Sequence, residues 1–169
     1  SIALRHGVLE CSHDYIVRMD SDDYSLQDRV EKQIKYLNIH PEISMLGGWY
    51  QQFDSKMEKS LMMRKVPEKS NEIIKYAENQ TPINHVTIIF RKKDYLKTSG
   101  YPKSRNLFED WWLSNRFIIN KLNIHNLQEV LVEVRGGDDF MNRRSGILYG
   151  VQEIKNMFQM WTEGHFSLY

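Results

Sequence analysis

The residues best suited to chemistry are three acids at the end of a short apolar run. Residues 15–19 have the pattern of a β-strand, and Asp20, Asp22 and Asp23 follow directly. Asp20 and Asp22 are two positions apart, so in extended backbone their side chains face the same side. Hard oxygen ligands suit Mg²⁺ or Mn²⁺, and such an ion can neutralise a diphosphate leaving group. The spacing therefore predicts a divalent-cation site at the carboxyl end of a strand, where open α/β sheets usually bind ligands.

Other interpretations of these acids stay open at this point. A plain solvated turn would also explain them, because Asp accepts hydrogen bonds from local backbone donors. An EF-hand loop beginning at Asp20 would need glycine where Ser25 stands and a helix before it, whereas residues 15–19 look like a strand. A phosphatase of the haloacid dehalogenase type would use Asp20 as its nucleophile, although Tyr24 replaces the Thr or Val that usually follows that motif.

A second acidic pair stands at the start of a predicted helix. Phe108-Glu109-Asp110-Trp111-Trp112 opens a helix that continues to about Leu122. Apolar neighbours and an adjacent acid raise the pKa of a carboxylate, whereas a helix N-terminus lowers it, so the sequence leaves the balance open at Asp110. A plainer interpretation is that both acids simply complement the helix dipole.

The remaining pattern predicts a mixed α/β domain. Paired glycines, Gly47-Gly48, lie inside one strand and fit either a close ligand approach or a packing contact. Ser25 resembles a helix N-cap with Asp28 three residues later. Helices are predicted at 2–11, 26–39, 70–79, 108–122 and 143–161, strands at 15–19, 43–53, 61–64, 84–91 and 124–135, and a connection at 93–107.

The last helix has a clear apolar stripe. Its members recur at spacings of four and three residues and are Ile147, Val151, Ile154, Phe158 and Trp161. Such a stripe usually docks a helix onto its own domain, and we expect that here. The alternative is a helix that binds a partner or lies at a membrane interface.

Length and composition bound the class of protein. The 169 residues suffice for one domain over 1–169, and 23 basic against 22 acidic residues give a net charge of +1. This balance gives no support for nucleic-acid binding. One cysteine, Cys11, excludes an internal disulfide framework. No apolar run reaches the length of a membrane span and no signal peptide is recognisable. The chain opens with Ser1 in what reads as mid-domain sequence, so we expect a fragment.

Several segments stand in a recognisable order along the chain. They are Met-Asp-Ser-Asp-Asp at 19–23, Asp28-Arg29 in a helix, His40-Pro41, the Gly47-Gly48 strand, His85 to Arg91, Phe-Glu-Asp-Trp-Trp at 108–112, and the closing 140–146 segment. In this combination the sequence resembles the family 2 inverting glycosyltransferases, which have the GT-A fold. The resemblance covers nearly all of the chain and implies a mixed sheet flanked by helices.

The resemblance implies a donor side built on the acid cluster. Asp22 would coordinate Mn²⁺ or Mg²⁺, and Asp20 would help to place the metal or the ribose. Asp23 would be a further donor-binding residue or would only hold the turn. Arg143 and Arg144 would bind the donor diphosphate, because arginine suits bidentate phosphate contact; a solvated basic turn is the alternative.

The resemblance also implies an acceptor side around the second acidic pair. Asp110 would be the catalytic base, with Glu109 beside it. Trp111 and Trp112 would form a platform for a sugar ring, unless they belong to the core. His85 would contact donor phosphates or the acceptor, unless it serves only as a structural hydrogen-bonding residue.

Such enzymes usually begin with strand–helix units that hold the nucleotide base, whereas in this sequence Asp20 already stands at position 20. The chain therefore reads as the C-terminal two-thirds of a GT-A domain with an incomplete nucleotide pocket. By resemblance to bacterial members that build surface glycans, we expect a nucleotide-sugar donor, first of all a UDP-sugar, and a glycan or lipid-linked acceptor. The same resemblance implies a cytoplasmic protein at the inner face of the cell membrane, in peripheral contact with it.

Overall fold

The computed structural model describes residues 2–102, 108–136 and 146–164. Its helices are α1 (Ile2–Glu10), α2 (Arg29–Ile39), α3 (Ser70–Ala77), α4 (Lys92–Lys97), α5 (Glu109–Ile119) and α6 (Ile147–Thr162). Its strands are β1 (Tyr15–Val17), β2 (Tyr24–Ser25), β3 (Ile43–Phe53), β4 (Ser60–Arg64), β5 (Ile89–Arg91) and β6 (Asn123–Arg135), and a 3₁₀ turn spans His85–Thr87.

The strands form one mixed sheet in the order β1-β5-β3-β6-β2. The long strands β3 and β6 run parallel, and the other pairings are antiparallel. β4 joins β3 at Tyr50–Phe53, beyond the point where β5 pairs with Met45 and Leu46. The carboxyl ends of β1, β3 and β6 therefore share one edge of the sheet, and the acids lie there.

Helices cover both faces of this sheet. Neighbouring residues of β5 belong to different clusters: Phe90 packs with buried residues of α1, α3, α4 and α5, whereas Ile89 packs with Leu37 of α2. Alternating side chains of a strand point to opposite faces, so α2 lies on one face and the other four helices on the other. The predicted mixed sheet flanked by helices is confirmed.

Several predicted boundaries are wrong, and each has a local cause. The predicted strand at 84–91 is a 3₁₀ turn followed by a strand of three residues, and the predicted connection after it contains α4. α2 begins at Arg29 because the Leu26 N–H donates to the Leu131 carbonyl of β6 at 3.0 Å. Ser25 lies in β2, and Asp28 is the N-cap without a side-chain capping bond, so the predicted capping box is wrong.

The paired glycines of β3 are required by packing within the chain. A Cβ atom at Gly47 would lie 2.5 Å from Cγ1 of Ile83 and 2.6 Å from Oδ1 of Asn126. A Cβ atom at Gly48 would lie 2.5 Å from Cδ1 of Leu131. Real Cβ atoms do not approach other atoms so closely, so the structure supports the packing interpretation.

α6 docks onto the domain as predicted, but through its other face. Asn156 and Met160 are buried, and Met160 packs with the aromatic cluster of α5. The predicted stripe faces outward, with Ile154 67% and Phe158 61% exposed. The buried indole N–H of Trp112 donates to Oδ1 of Asn156, which fixes the polar side of α6 inward.

Candidate active site

The acids at residues 20–23, here called the acid turn, do not continue a strand. β1 ends at Val17, and the Asp23 N–H donates to the Asp20 carbonyl at 3.4 Å, which closes a turn between β1 and β2. The expected extended backbone, with Asp20 and Asp22 on the same side of a strand, is therefore wrong. The chain turns here because Tyr24 and Ser25 pair with Glu133 and Val132 of β6.

Asp20 has a cationic partner within the chain. The Arg18 guanidinium donates to both carboxylate oxygens of Asp20, at 3.0 and 2.5 Å. This fork geometry is the strongest form of side-chain ion pair because two charge-assisted hydrogen bonds act together. The sequence required a partner for the crowded acids, and part of that need is met by Arg18.

Asp23 is the buried member of the acid turn. Its Oδ1 accepts the backbone N–H of Arg135 at 3.0 Å, and its Oδ2 is buried without a hydrogen-bond partner among the described residues. Burial raises the pKa of Asp23, and the negative charges of Asp20 and Asp22 raise it further. The hydrogen bond from Arg135 lowers this pKa, but its effect is smaller than that of burial. An unpartnered buried oxygen is costly in an isolated chain, and a cation or a ligand donor would satisfy it.

Asp22 is the exposed member. Its backbone carbonyl accepts Nε of Arg135 at 3.3 Å, so β6 holds the turn while the side chain of Asp22 reaches solvent. In the part of the chain that the structure describes, no three His, Cys, Asp or Glu side chains converge as metal ligands. The acids present fit Mg²⁺ or Mn²⁺ in the mode where one or two carboxylates bind and substrate phosphates complete the shell.

Asp110 lies in the first turn of α5 and is half-buried, as is Glu109. Its Oδ1 accepts the backbone N–H of Trp111 at 2.8 Å. The backbone of α5 thus fixes one carboxylate oxygen of Asp110.

Trp111 and Trp112 both belong to the core. Each is 1% exposed, and the Trp111 indole donates to the Ala77 carbonyl at 2.7 Å. This arrangement matches the core alternative, because neither ring offers a face to a sugar. Both rings instead support the helix start that carries Asp110.

His85 is paired with a buried tyrosine. Its Nε2 lies 2.8 Å from the Tyr101 hydroxyl, and Tyr101 is 1% exposed. Burial, followed by the positive charge of Arg18, holds the pKa of His85 well below its usual range. Burial also raises the pKa of Tyr101, with smaller contributions from the charges of Asp110 and Glu109. The His85–Tyr101 pair is therefore influenced by Arg18, the ion-pair partner of Asp20, and by the two acids at the start of α5.

Sequence reasoning missed four residues of this region. Arg18, Arg29, Tyr101 and Arg135 had no assigned role. Arg18, Tyr101 and Arg135 each contact a candidate residue or its backbone, and Arg29 contacts the backbone of Arg18. Arg29 is wholly buried, and its Nη2 donates to the Arg18 carbonyl at 2.9 Å. Burial, together with the charge of Arg18, lowers the pKa of Arg29 to about 10. A basic residue two positions before the acids was the available signal for Arg18; the others depend on tertiary contacts.

Two predicted donor-binding residues, Arg143 and Arg144, lie outside the described residues. Their predicted contact with the diphosphate stays a prediction. None of the described helices is both long and apolar enough to cross a membrane.

Comparisons with known proteins agree with the resemblance. The sequence model of glycosyl transferase family 2 matches residues 1–100. The chain is 32% identical over 165 residues to the Escherichia coli UDP-Gal:alpha-D-GlcNAc-diphosphoundecaprenol beta-1,3-galactosyltransferase, covering 98% of this chain and 59% of that protein. It is 34% identical over 153 residues to the Erwinia amylovora amylovoran biosynthesis glycosyltransferase AmsE, covering 90% of this chain and 56% of that protein. The chain therefore spans little more than half the length of these relatives.

The fold also resembles a solved structure. Staphylococcus aureus TarS, residues 1–349, superposes with a TM-score of 0.54 at 14% identity, covering 77% of this chain and 38% of TarS. At this identity the likeness concerns the fold alone. Together with the mixed sheet and its flanking helices, it confirms the predicted partial GT-A fold.

Proposed function

The chain belongs to glycosyl transferase family 2, and on that premise we propose that it moves a sugar from a nucleotide-sugar donor to a glycan or lipid-linked acceptor with inversion. The E. coli relative is named for a UDP-Gal donor and a diphosphoundecaprenol-linked acceptor. By analogy we propose a UDP-sugar donor and a lipid-linked acceptor at the cytoplasmic face of the membrane.

The donor side is the acid turn. Asp22 and Asp20 would hold Mn²⁺ or Mg²⁺, which when bound supplies positive charge that stabilises the departing nucleoside diphosphate. Asp22 offers an exposed carboxylate, and Asp23 has a buried oxygen that finds no hydrogen-bond partner among the described residues. On the resemblance alone, Arg143 and Arg144 are proposed to bind the same diphosphate.

The acceptor side is the start of α5. The Asp110 carboxylate would accept the proton of the acceptor hydroxyl, whose oxygen forms a bond to the anomeric carbon of the sugar. The bond from that carbon to the diphosphate breaks at the same time, and its electron pair leaves with the diphosphate. One displacement of this kind inverts the anomeric centre. Glu109 and His85 would line the acceptor side, while Trp111 and Trp112 act from the core.

One observation carries this proposal. The His85–Tyr101 pair is influenced by Arg18, which binds Asp20, and by Asp110 at the start of α5. A single displacement requires the donor acids and the proposed base to face one common space, and these shared electrostatic influences support that arrangement. Family membership argues against the alternatives of a non-catalytic cation module and of a hydrolase. Asp20, the nucleophile of that hydrolase, is also held by Arg18.

The testing experiment incubates the chain with UDP-galactose, Mn²⁺ and a GlcNAc-diphospholipid, and determines the linkage of the product by NMR. The proposal expects an inverted anomeric configuration and a loss of transfer of about 100-fold or more in Asp110→Asn. A retained configuration, or full activity in Asp110→Asn, would contradict it. Lys35→Met, which breaks an exposed ion pair with Glu31, is the matched control.

We further propose that the outward stripe of α6 makes the peripheral contact with the membrane. The stripe is apolar, lies on a helix that packs against α5, and would bring Asp110 near the bilayer where a lipid-linked acceptor resides.

A further inference from the structure

Arg18 and Asp20 form the best-defined ion pair of the candidate site. Two guanidinium nitrogens of Arg18 reach the two carboxylate oxygens of Asp20. The Arg18 side chain is 15% exposed and the Asp20 side chain 43%. The pair thus lies at the boundary between the interior and the space in front of the acid turn.

The backbone of Arg18 is fixed on both sides of the residue. Its N–H donates to the Ile88 carbonyl at 3.0 Å, and its own carbonyl accepts Nη2 of Arg29 at 2.9 Å. The same Nη2 lies 3.4 Å from the Ile88 carbonyl. Arg29 is anchored in turn by Gln33, whose Oε1 accepts Nε of Arg29 at 3.2 Å. A buried polar network therefore holds Arg18 in place.

The two hydrogen bonds from Arg18 determine how the Asp20 carboxylate can bind a ligand. Each carboxylate oxygen has two acceptor positions, and Arg18 uses one on each oxygen. The remaining positions stay available, but the plane of the carboxylate is set by the planar guanidinium.

We propose that Arg18 is a positioning residue for donor binding: it orients the Asp20 carboxylate toward the metal–diphosphate group, while Asp22 supplies the freely oriented carboxylate. This inference rests on the proposed function. Outer-shell partners that orient a ligating carboxylate typically change metal affinity by about 10- to 100-fold when removed.

A purely structural pair is the competing explanation. Partly exposed ion pairs contribute little to stability, so stability alone gives a weak reason for this geometry. The charge of Arg18 also contributes to the lowered pKa of His85, so Arg18 influences a proposed acceptor-side residue as well as Asp20.

The test is calorimetric titration of UDP into the chain in the presence of Mn²⁺, for wild type, Arg18→Met, Arg18→Lys, Asp20→Asn and the double variant Arg18→Met/Asp20→Asn. Lys35→Met is the control, and circular dichroism checks that each variant folds. We expect Arg18→Met to weaken binding by about 10- to 100-fold. Arg18→Lys should be intermediate because lysine keeps the charge without the fork.

The double variant decides the mechanism. If Arg18 acts through Asp20, the double variant binds like Asp20→Asn alone, because the effects are not additive. The inference would be overturned if the fold-changes in UDP affinity of the two single variants multiply in the double variant, or if Arg18→Met binds UDP like wild type. Either result would leave the proposed function intact. No binding by the wild type, repeated with a chain lengthened at its N-terminus, would instead contradict the donor site itself, and the inference with it. If Arg18→Met does not fold, Arg18→Lys in the Asp20→Asn background gives the same comparison.

Discussion

The Tyr101 hydroxyl lies 2.8 Å from Nε2 of His85, in a part of the protein where Tyr101 has almost no exposure. The contact joins the 3₁₀ turn to the segment that precedes α5. We expect Tyr101→Phe to destabilise the fold by about 1–3 kcal/mol, because it leaves a buried ring nitrogen without its partner. Urea unfolding measures the change, and an unchanged midpoint would show that the contact contributes nothing.

His85 should make stability depend on pH. Burial lowers its folded-state pKa below the unfolded value of 6.5, so the unfolded chain takes up the proton first as pH falls. The contribution of neutral His85 is therefore complete above about pH 6.5 and is lost progressively below it. Thermal unfolding of wild type and His85→Gln between pH 7.5 and 5 tests this. The melting temperature of His85→Gln relative to wild type should rise as the pH falls. A difference in melting temperature that stays constant with pH would contradict the prediction.

Asp23 should make stability depend on pH in the opposite direction to His85. Its folded-state pKa is raised, mainly by burial, so the unfolded chain loses its proton first as pH rises. Stability is therefore lost as pH rises through that window, and the loss persists at neutral pH. Asp23→Asn keeps the acceptor for Arg135 and should stabilise the fold at pH 7 by about 0.5–2 kcal/mol, as often seen at functional sites.

Asp54 provides the matched control for Asp23. Its Oδ1 accepts the backbone N–H of Glu58 at 2.8 Å, and that bond lowers its pKa. Asp54→Asn should therefore lower the free energy of unfolding at pH 7. Equal effects of the two substitutions would contradict the assignment of burial as the cause at Asp23.

Much of the fold could be predicted because its signals are local. The strand at 43–53 and the alternation near 124–135 depend on side-chain pattern alone, and both elements are found close to the predicted bounds. The turn at His85 could not be predicted, because β-rich composition favours a strand while Thr87 Oγ1 donates to the Asn84 carbonyl at 2.7 Å and stabilises a turn.

The candidate site was predictable in its acids and not in its cations. Asp20, Asp22 and Asp110 stand in motifs that can be read along the chain. Arg135 lies 112 residues from Asp23, and its contact exists only because β2 pairs with β6. The prediction of which face of α6 is buried was wrong for a similar reason. Asn156 is buried because it accepts a hydrogen bond from Trp112, and a hydropathy pattern does not show such a partner.

The paired glycines give a prediction on packing. Gly48→Ala should destabilise by about 1–3 kcal/mol, because the new methyl group would overlap the Leu131 side chain. Gly7→Ala in α1 is the control. A Cβ there meets nothing within 4 Å, so that variant should gain up to about 1 kcal/mol in helix propensity. Similar effects of both changes would contradict the packing role of Gly48.

The stripe of α6 gives a prediction on membranes. Phe158→Glu should abolish co-sedimentation of the chain with phosphatidylethanolamine–phosphatidylglycerol vesicles without changing the melting temperature, because the side chain is 61% exposed. Gln152→Glu adds the same charge at another exposed position of α6 and should leave binding unchanged. Absence of vesicle binding by the wild type, or concentration-dependent dimers that Phe158→Glu disrupts, would contradict a membrane role.

The most direct measurement of the central claim is calorimetric titration of UDP into the chain, with and without Mn²⁺, for wild type, Asp22→Asn and Asp110→Asn. The proposed mechanism predicts Mn²⁺-dependent binding that Asp22→Asn abolishes and Asp110→Asn leaves nearly unchanged, because Asp22, unlike Asp110, is proposed to contact the metal–diphosphate group. Binding that ignores Mn²⁺, or that survives in Asp22→Asn, would contradict the assignment of the acid turn as the donor site.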